Sequence, residues 1–562
     1  MMLALAWQDH AIVVLYVGLL AGMGLYFACR RKSAEEYFLA GRSVPWAAVG
    51  VSIMATLMSS LTYLAEPGEV WQSGLTTLLG KFIAIIVETG FVLAVFIPFL
   101  MRFRFTSLYE YLGYRFGLAA RVLGVTLFCC LVVVWMGFVV LTMSRAVSAV
   151  AEVPLPLVVV TVGFVGTIYT IAGGMRAVIW KDVLQVGLMF GGCVICLAYI
   201  SWISGGTWLP DWIAAAHDAR QGGQTPIRFF SLDPFERNTI VTFAITMFVW
   251  HACTHVGNQM VVQRYFTCSD LRSARRGFLT AVAASIFVNS LLVFVGLALV
   301  YFYRNGYGTL TLDPTNKKQA DLIFPTFMVT ALPAGLGGAV LTAVLSAAMS
   351  TIDAGVNAVA TVLSVERRRW HSLDRPETVP EQVSEIRFAR WITLAAGAGI
   401  TLSAFALNEL TGDRNILEMM PRSFNCFLVP IGGLVFLGIF FPYCGQRAAV
   451  VAALAGLLTA ISIAYAKPFF GLDREISFTW VLPGAVLVVI IIGAIGGLID
   501  RSTPAQRAGL TWFTLRQRPV IPPYLIADWV KNDPDLESPE DYPSNGNSSE
   551  STKLSVVSEY NR

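Results

Sequence analysis

The chain has 562 residues and a mass of 61.3 kDa; 56% of its residues are hydrophobic and only 14% are charged. A soluble protein of this length carries about 25% charged residues, because its surface needs polar cover. The composition therefore excludes a soluble enzyme, a nucleic-acid-binding protein and a disordered chain. It predicts an all-α polytopic membrane protein, and the small net charge of +4 gives no reason to expect a polyanionic partner.

Apolar segments of about 20 residues, long enough to cross a bilayer as helices, recur along the chain, and we predict about 13 of them. Their centres lie near Leu19, Met54, Val92, Leu127, Gly163, Gly191, Phe248, Val288, Ala343, Ala396, Leu434, Leu454 and Val488. No small-residue cleavage site follows the first segment, residues 10–29. We therefore predict that this segment is retained as a membrane helix and is not a signal peptide.

Basic residues follow every second predicted span. They are Arg30, Arg31, Lys32, Arg102, Arg104, Arg176, Lys181, Arg264, Arg272, Arg275, Arg276, Arg367, Arg368, Arg369, Arg447, Arg501 and Arg507. The positive-inside rule places these loops in the cytoplasm, the N-terminus outside and the C-terminus inside. An odd number of spans agrees with this orientation in a plasma or inner membrane. Residues 503–562 are then a cytoplasmic tail, and its Ser-, Asn- and Pro-rich end is predicted to be disordered.

Two spans contain polar and helix-breaking residues at membrane depth. The second carries Thr56, Ser59, Ser60 and Thr62 before Glu66-Pro67-Gly68, and the seventh carries His251, Thr254, His255, Gly257 and Asn258. Non-helical backbone at this depth is tolerated only where it lines a protein cavity. Interrupted spans at corresponding positions predict a transporter of two inverted repeats with a midplane binding site. Two kinked helices without function are the alternative.

The ninth span carries two adjacent hydroxyls, Ser350 and Thr351, and then the carboxylate of Asp353. Asp182 lies at the head of the sixth span. A buried carboxylate costs several kcal/mol unless it is paired or binds a cation. Hard cations take oxygen ligands, so hydroxyls, freed carbonyls and a carboxylate suit Na⁺. Helix–helix packing is the alternative for the hydroxyl pair, but the nearby Asp353 favours a cation site.

Four motifs resemble those of the sodium/solute symporter family, which includes sodium–glucose, –proline, –iodide and –monocarboxylate transporters. Residues 173–185 (GGMRAVIWKDVLQ) are similar to the family's GG-x-x-A-V-x-W-T-D-x-x-Q loop, and residues 258–264 (NQMVVQR) to its NQ-x-x-x-QR motif. Residues 347–353 (AAMSTID) resemble its A-x-M-S-T signature, and residues 37–42 (YFLAGR) the usual first inner loop. The similarity extends from about Leu15 to Gly496.

The resemblance implies the leucine-transporter fold within a transmembrane domain of residues 1–502. Two inverted five-helix repeats would cover residues 45–205 and 237–442. The flanking helices would be residues 10–29, 446–466 and 476–499. The family transports solutes by alternating access coupled to Na⁺. Sodium is thus the expected cofactor and the only metal ion expected, with a small solute and the lipid bilayer as further partners.

The resemblance also implies ligands for sodium. The principal site would use the carbonyls of Ala55, Met58 and Ala347 with the hydroxyls of Ser350 and Thr351. A possible second cation site would use Asp182, Ser350 and Asp353, of which Asp353 stands where relatives have a hydroxyl. Asp353 could instead carry a proton, and a salt bridge between Lys181 and Asp182 is a structural alternative.

The solute pocket implied by the family lies between the second, third, seventh and eleventh spans. Its candidate residues are Ser59, Thr62, Lys81, Thr254, His255, Asn258 and Asn425. Lys81 stands inside an apolar span, where an ammonium favours an anionic, carboxylate-type solute. Alternatively, Lys81 extends to the outer interface or reaches Glu88 on the same helix face. His255 could instead be a hydrogen-bonded wall residue.

The predicted function is therefore sodium-coupled import of a small organic solute, favoured to be anionic. The alternatives are symport of a neutral sugar or amino acid, and a receptor that senses sodium or solute without transporting it. The short tail argues against a fused signalling domain. No GxSxG, HExxH or P-loop sequence is present, so no enzymatic activity is expected.

Overall fold

The computed structural model describes residues 6–29, 33–73, 76–151, 153–221, 229–231, 233–236, 239–309, 319, 322–370, 379–411 and 416–537. These residues are nearly all helical, as the apolar composition predicts. Extended pairing among them is limited to isolated bridges, such as that between Phe103 and Ile526.

The helices follow one another along the chain in this order. In the first half of the chain they are α1 (Trp7–Cys29), α2 (Ala34–Leu39), α3 (Trp46–Leu57), α4 (Ser60–Ser73), α5 (Thr76–Phe91), α6 (Ile97–Leu100), α7 (Leu108–Phe116), α8 (Leu118–Ala151), α9 (Leu155–Ile203) and α10 (Leu209–Gln221). In the second half they are α11 (Ile240–Gly257), α12 (Gln259–Phe266), α13 (Leu271–Arg304), α14 (Ile323–Thr330), α15 (Leu336–Trp370), α16 (Val379–Thr411), α17 (Ile416–Phe440), α18 (Gln446–Ala464), α19 (Ala466–Phe470), α20 (Val481–Ile499), α21 (Pro504–Arg507) and α22 (Asp528–Lys531). A π-helical turn, Val92–Phe96, joins α5 to α6.

The number of membrane spans in the described residues is slightly lower than the predicted number of about 13. Eleven helical segments there are long and apolar enough to cross a bilayer. The bent pair Ala34–Arg42 and Trp46–Leu57 raises this number to 12 if it is counted as one span, and the predicted fifth span corresponds to the shorter apolar segment Leu155–Ile168. Within α9 the chain kinks at Gly174, whose φ of +64° lies in the left-handed region that glycine adopts without steric cost. The kink separates the predicted fifth and sixth spans.

Helix α15 forms the centre of the bundle. It is the most buried of the described membrane helices and packs against α1, α8, α9 and α16. The outer helices instead expose large apolar side chains, including Leu15, Ile86, Leu402, Leu458 and Ile499. Such a surface suits a lipid environment and makes this a multi-pass membrane protein. The hydroxyls of Ser350 and Thr351 therefore lie at the core of the molecule.

The interruptions predicted in the second and seventh spans are both present. Helix α3 ends at Leu57 and α4 begins at Ser60, while α11 ends at Gly257 and α12 begins at Gln259. The first interruption lies before Pro67, which is inside α4. A proline removes one helical hydrogen bond and a membrane helix continues through it, whereas Met58 adopts an extended ψ of 92° that ends α3.

The segment after the last span packs against one end of the bundle. The Ala527 amide donates to the Arg102 carbonyl at 2.9 Å, and the Arg104 amide donates to the Leu525 carbonyl at 2.8 Å. The Tyr111 hydroxyl donates to the Leu510 carbonyl at 3.0 Å. Residues 503–537 are thus held by the body of the protein. The predicted disordered end lies, from residue 538 onward, outside the described residues.

Candidate ion and solute site

The break between α3 and α4 frees backbone carbonyls at the centre of the bundle. On either side of it the helical pattern holds, since the Met58 amide donates to Met54 O at 3.0 Å and the Tyr63 amide donates to Ser59 O at 3.1 Å. The carbonyls of Ala55 and Met58 lie between these bonds and take no backbone donor within the described part of the chain. Buried carbonyls of this kind need a side chain or an ion as partner.

Five oxygen atoms converge on this break. The Ser350 hydroxyl lies 3.0 Å from Ala55 O and 3.2 Å from Ala347 O. The Thr351 hydroxyl lies 3.1 Å from Ala347 O and 3.4 Å from Met58 O. All five residues are buried. Three carbonyls and two rotatable hydroxyls, with no nitrogen or sulfur among them, suit a hard monovalent cation. The structure thus brings together the five groups predicted for sodium.

A cavity of about 250 Å³ adjoins the five-oxygen site, and Met58 belongs to both. Its polar lining residues are Ser59, Thr62, Glu66, Glu69, Lys81, Thr246, His251, Ser285, Asn289 and Asn425. Aromatic side chains, including those of Trp135 and Trp250, cover much of the remaining wall. A mostly apolar wall with a few placed polar groups is typical of a small-molecule site. The cavity is therefore the candidate solute site.

Four of the seven predicted solute residues line this cavity: Ser59, Thr62, Lys81 and Asn425. The Asn425 Oδ1 atom is buried and has no hydrogen-bond partner within the described residues. An orphaned buried acceptor costs about 1–3 kcal/mol, so a partner supplied by a bound molecule would be stabilising. Asn425 is thus well placed to accept a hydrogen bond from a solute.

The structure does not bring the other three, Thr254, His255 and Asn258, to the cavity wall. The side chain of Asn258 caps α12, because its Oδ1 accepts from the Met260 amide at 2.9 Å. His255 contacts Tyr265 on α12. The face of α11 that lines the cavity lies one to three turns earlier, at positions that the motif comparison did not identify. These are Phe243, Thr246, Met247, Trp250 and His251.

Lys81 forms an ion pair with Glu66 in the cavity wall. Its Nζ donates to Glu66 Oε2 at 2.5 Å, and both side chains are largely buried. The alternative contact of Lys81 with Glu88 is wrong. Glu88 faces α11, with Oε1 3.0 Å from His255 Nε2 and Oε2 3.2 Å from His251 Nδ1. The cavity therefore carries a basic and an acidic group side by side.

The family is decided by sequence comparison. A model of the sodium:solute symporter family matches residues 37–456, a range that holds the five-oxygen site and most of the cavity. The chain belongs to this family. The resemblance inferred from the four sequence motifs is thereby confirmed.

Curated relatives of this symporter carry several solutes. It is 30% identical to a sodium-dependent multivitamin transporter of Oryctolagus cuniculus over 81% of this chain and 70% of the relative. It is 26% identical to a sodium/sialic acid symporter of Proteus mirabilis over 86% of this chain and 93% of the relative. It is 29% identical to human sodium-coupled monocarboxylate transporter 1 over 80% and 72% of the two chains. These relatives are transporters, not enzymes.

Solved structures share its fold. A Na⁺-coupled sialic acid symporter in a substrate-bound outward-open state superposes with a TM-score of 0.75 at 24% identity, covering 88% of this chain and 99% of that one. Mhp1, a nucleobase-cation-symport-1 family transporter, superposes with a TM-score of 0.50 at 15% identity, covering 83% and 96%. The leucine-transporter fold with its two inverted repeats is thus confirmed.

Asp353 of this symporter is held in a buried ion pair. Its Oδ2 accepts from Lys181 Nζ at 2.7 Å and its Oδ1 from the Thr170 hydroxyl at 2.5 Å. The side chains of both charged residues are fully buried. The alternative salt bridge between Lys181 and Asp182 is therefore wrong, because Lys181 bonds to the carboxylate of α15.

Asp182 has a separate basic partner. Its Oδ2 accepts from Arg264 Nη2 at 3.0 Å and from the Ser52 hydroxyl at 2.5 Å, while Oδ1 has no hydrogen-bond partner within the described residues. The second cation site, with Asp182, Asp353 and Ser350, stays a prediction. Its two carboxylates take part in different ion pairs. The Asp182 Oδ1 atom, which has no hydrogen-bond partner within the described residues, favours a cation at this site.

Proposed function

We propose that this protein imports a small organic anion together with Na⁺, with the ion at the break of α3 and α4 and the solute in the adjoining cavity. The observation that carries this proposal is the contact between the two places, since Met58 supplies a carbonyl to the five-oxygen site and also lines the cavity. An ion bound there orders the same backbone that presents Ser59 and Thr62 to the solute.

Coupling follows from this shared backbone. A sodium ion that draws α3 and α15 together raises the affinity for solute, and the solute must raise the affinity for sodium by the same factor. An inside-negative membrane potential contributes about 2.3 kcal/mol per charge for each 100 mV. Entry of one sodium ion with the solute therefore supplies energy for accumulation, and alternating access delivers both to the other side.

The anionic class of solute is supported by Lys81. An ammonium has three N–H donors, and the bond to Glu66 accounts for one of them. A carboxylate in the cavity could therefore bind Lys81 beside Glu66. Relatives named for sialic acid, for monocarboxylates and for iodide carry anions, which supports the same class.

A neutral solute is the second candidate, and the Lys81–Glu66 pair is the observation that favours it. The carboxylate at 2.5 Å offsets the lysine charge, and Glu69 adds a further acid to the cavity wall. A sugar or neutral amino acid would bind such a wall by hydrogen bonds alone. The anionic and the neutral solute are distinguished by the effect on uptake of removing the charge of Lys81.

The test uses purified protein in liposomes with an inward sodium gradient and an inside-negative potential. Counterflow of labelled monocarboxylates, sialic acid, sugars and amino acids identifies the solute class. The Lys81→Met variant is expected to lose carboxylate uptake by about tenfold or more, the equivalent of one charge-assisted hydrogen bond, while Glu66→Gln keeps it. Lys467→Met, on α19 away from the cavity, is the matched control. Full uptake by Lys81→Met would exclude the anion pairing.

The orientation with the N-terminus outside is also part of this proposal. The odd number of spans predicted from the sequence supports it. So do the basic side chains that meet at the end of the bundle carrying the tail. Arg42 Nη2 donates to Arg104 O at 2.9 Å, and Arg176 Nη2 donates to Ala40 O at 3.1 Å. A cluster of this kind is expected on the cytoplasmic side.

A further inference from the structure

We propose that Glu88, His251 and His255 form a binding site for a divalent transition-metal ion, with Zn²⁺ as the best-suited probe, beside the solute cavity that His251 lines. Glu88 comes from α5, and the two histidines lie one turn apart on α11. Imidazole and carboxylate are the ligands that zinc takes from proteins when cysteine is absent. This site is separate from the five-oxygen sodium site and goes beyond the expectation from the sequence that sodium is the only metal ion.

The spacing of the ligand atoms fits a tetrahedral ion. Glu88 Oε1 lies 3.0 Å from His255 Nε2, and Glu88 Oε2 lies 3.2 Å from His251 Nδ1. All three residues offer ligand atoms within 4.8 Å of one another. Ligands bound at about 2.0–2.1 Å to zinc lie about 3.3 Å apart along a tetrahedral edge. Small side-chain movements therefore suffice to bind the ion.

Hydrogen bonding alone leaves this cluster incomplete. The buried His251 Nδ1 atom lies 3.2 Å from a carboxylate oxygen and yet has no hydrogen-bond partner within the described residues. At that distance the N–H and the carboxylate are not aligned for a hydrogen bond. A lone pair on the same nitrogen could instead bind a metal ion without that alignment. A metal ion between the imidazoles and Glu88 thus supplies the partner that the protein side chains do not.

A phenol orients one of the ligands. The Tyr265 hydroxyl lies 2.6 Å from His255 Nδ1, on the side of the ring opposite to Glu88. The Phe278 ring packs edge-on against the same imidazole at 5.1 Å between centroids. Metal-binding histidines are commonly held in this way through their second nitrogen, which leaves the first free for the ion. His255 is therefore held with Nε2 directed at Glu88.

The ion has a route into this site. Glu88 and His255 are buried, with 2% and 3% of their surfaces exposed, whereas His251 is half-buried and lines the cavity. Three protein ligands leave a fourth coordination position for water or another small ligand, as in open zinc sites. With one carboxylate and two neutral imidazoles, a bound Zn²⁺ adds a net positive charge to this wall. A bound metal is thus expected to alter solute binding.

The test measures metal binding directly, on tag-free full-length protein in metal-free buffer. Competition with a chromophoric chelator is expected to reveal one Zn²⁺ per chain. Co²⁺ should give the strong visible absorption of a tetrahedral site. Glu88→Gln and His255→Gln are expected to weaken binding by more than about 100-fold, and Tyr265→Phe by about tenfold, because ligand loss exceeds the usual effect of removing an orienting partner.

His10→Ala and His217→Ala, at histidines outside the cluster, should bind zinc like the wild type. His251→Gln at the half-buried position tests the same ligand set in case the buried variants do not fold. Wild-type protein without saturable zinc binding would overturn the proposal, and so would affinity that the cluster variants leave unchanged. Because the readout is binding of the metal alone, failure here leaves sodium-coupled transport untouched.

Discussion

The environment of Asp353 favours one of the roles that its sequence position allows. A carboxylate inside a membrane span indicates an ion ligand, a proton carrier or a buried ion pair, and the residues alone do not separate these. In the structure its oxygens accept from Lys181 and Thr170. Removing one partner of a buried pair leaves the other charge uncompensated, at a cost of about 3–5 kcal/mol.

We therefore expect Asp353→Asn to lower the free energy of unfolding by about 3–5 kcal/mol, since Lys181 would be left unpaired. Thermal unfolding in detergent, followed by tryptophan fluorescence, measures this change. The double variant Lys181→Met/Asp353→Leu, which removes both charges, should recover most of the loss. An Asp353→Asn variant as stable as the wild type would argue against the ion pair and would favour Asp353 as a cation ligand.

Some residue-level features could be predicted from the sequence and others could not. The five predicted sodium ligands follow from the family resemblance, in which the residue types and their order suffice. The pairing of Lys81 with Glu66, and of Glu88 with two histidines, depends on the rotation of α4, α5 and α11 about their axes. Periodicity within one helix does not report that rotation relative to its neighbours, so these partners became clear only in the structure.

At the scale of elements, the start of α15 is held by another helix. Asp9 on α1 accepts from the Gly338 amide at 2.6 Å and from the Gly335 amide at 2.8 Å. These donors lie at the N-terminal end of α15, where free amides and the helix dipole favour a carboxylate. The first helix thus anchors the helix that carries Ser350 and Thr351.

Loss of this contact should weaken the fold without touching the ion site. Asp9→Ala is expected to lower the free energy of unfolding by about 1–2 kcal/mol, whereas Asp9→Asn keeps an acceptor and loses less. Thermal unfolding checks the stability, and the sodium dependence of uptake should stay unchanged. A shifted sodium dependence would mean that α1 acts on the site directly.

The helix order and the two interruptions were predictable because the length of each apolar segment, and the polar residues within it, are local features of the sequence. Residue type alone does not identify the residue at which the first span breaks, because Pro67 is the stronger helix breaker. The chain bends at Met58, where the freed carbonyls of Ala55 and Met58 gain partners on α15. That gain depends on contacts between distant segments, which local propensity does not contain.

At the scale of the whole molecule, the proposed orientation predicts which ends of the helices face each side. With Cys29, the exposed cysteine at the end of α1, replaced by Ser, new cysteines can be placed at Phe470 and Gln506. A membrane-impermeant maleimide applied to intact cells should label Phe470→Cys and should label Gln506→Cys only after permeabilisation. The reverse labelling pattern would show that the orientation is opposite to the proposed one.

The central claim is that sodium bound by five oxygens at the break of α3 drives uptake. Its most direct measurement is the sodium dependence of initial uptake in proteoliposomes for Thr351→Ala and Ser350→Ala. Thr342→Ala is the control on the same helix, where the hydroxyl donates to Gly338 O one turn earlier, 2.8 Å away. We predict that each site variant raises the half-maximal sodium concentration by about 10- to 100-fold, the equivalent of about 1–3 kcal/mol, while the control keeps the wild-type value. Unchanged sodium dependence in folded Thr351→Ala and Ser350→Ala proteins would contradict the account.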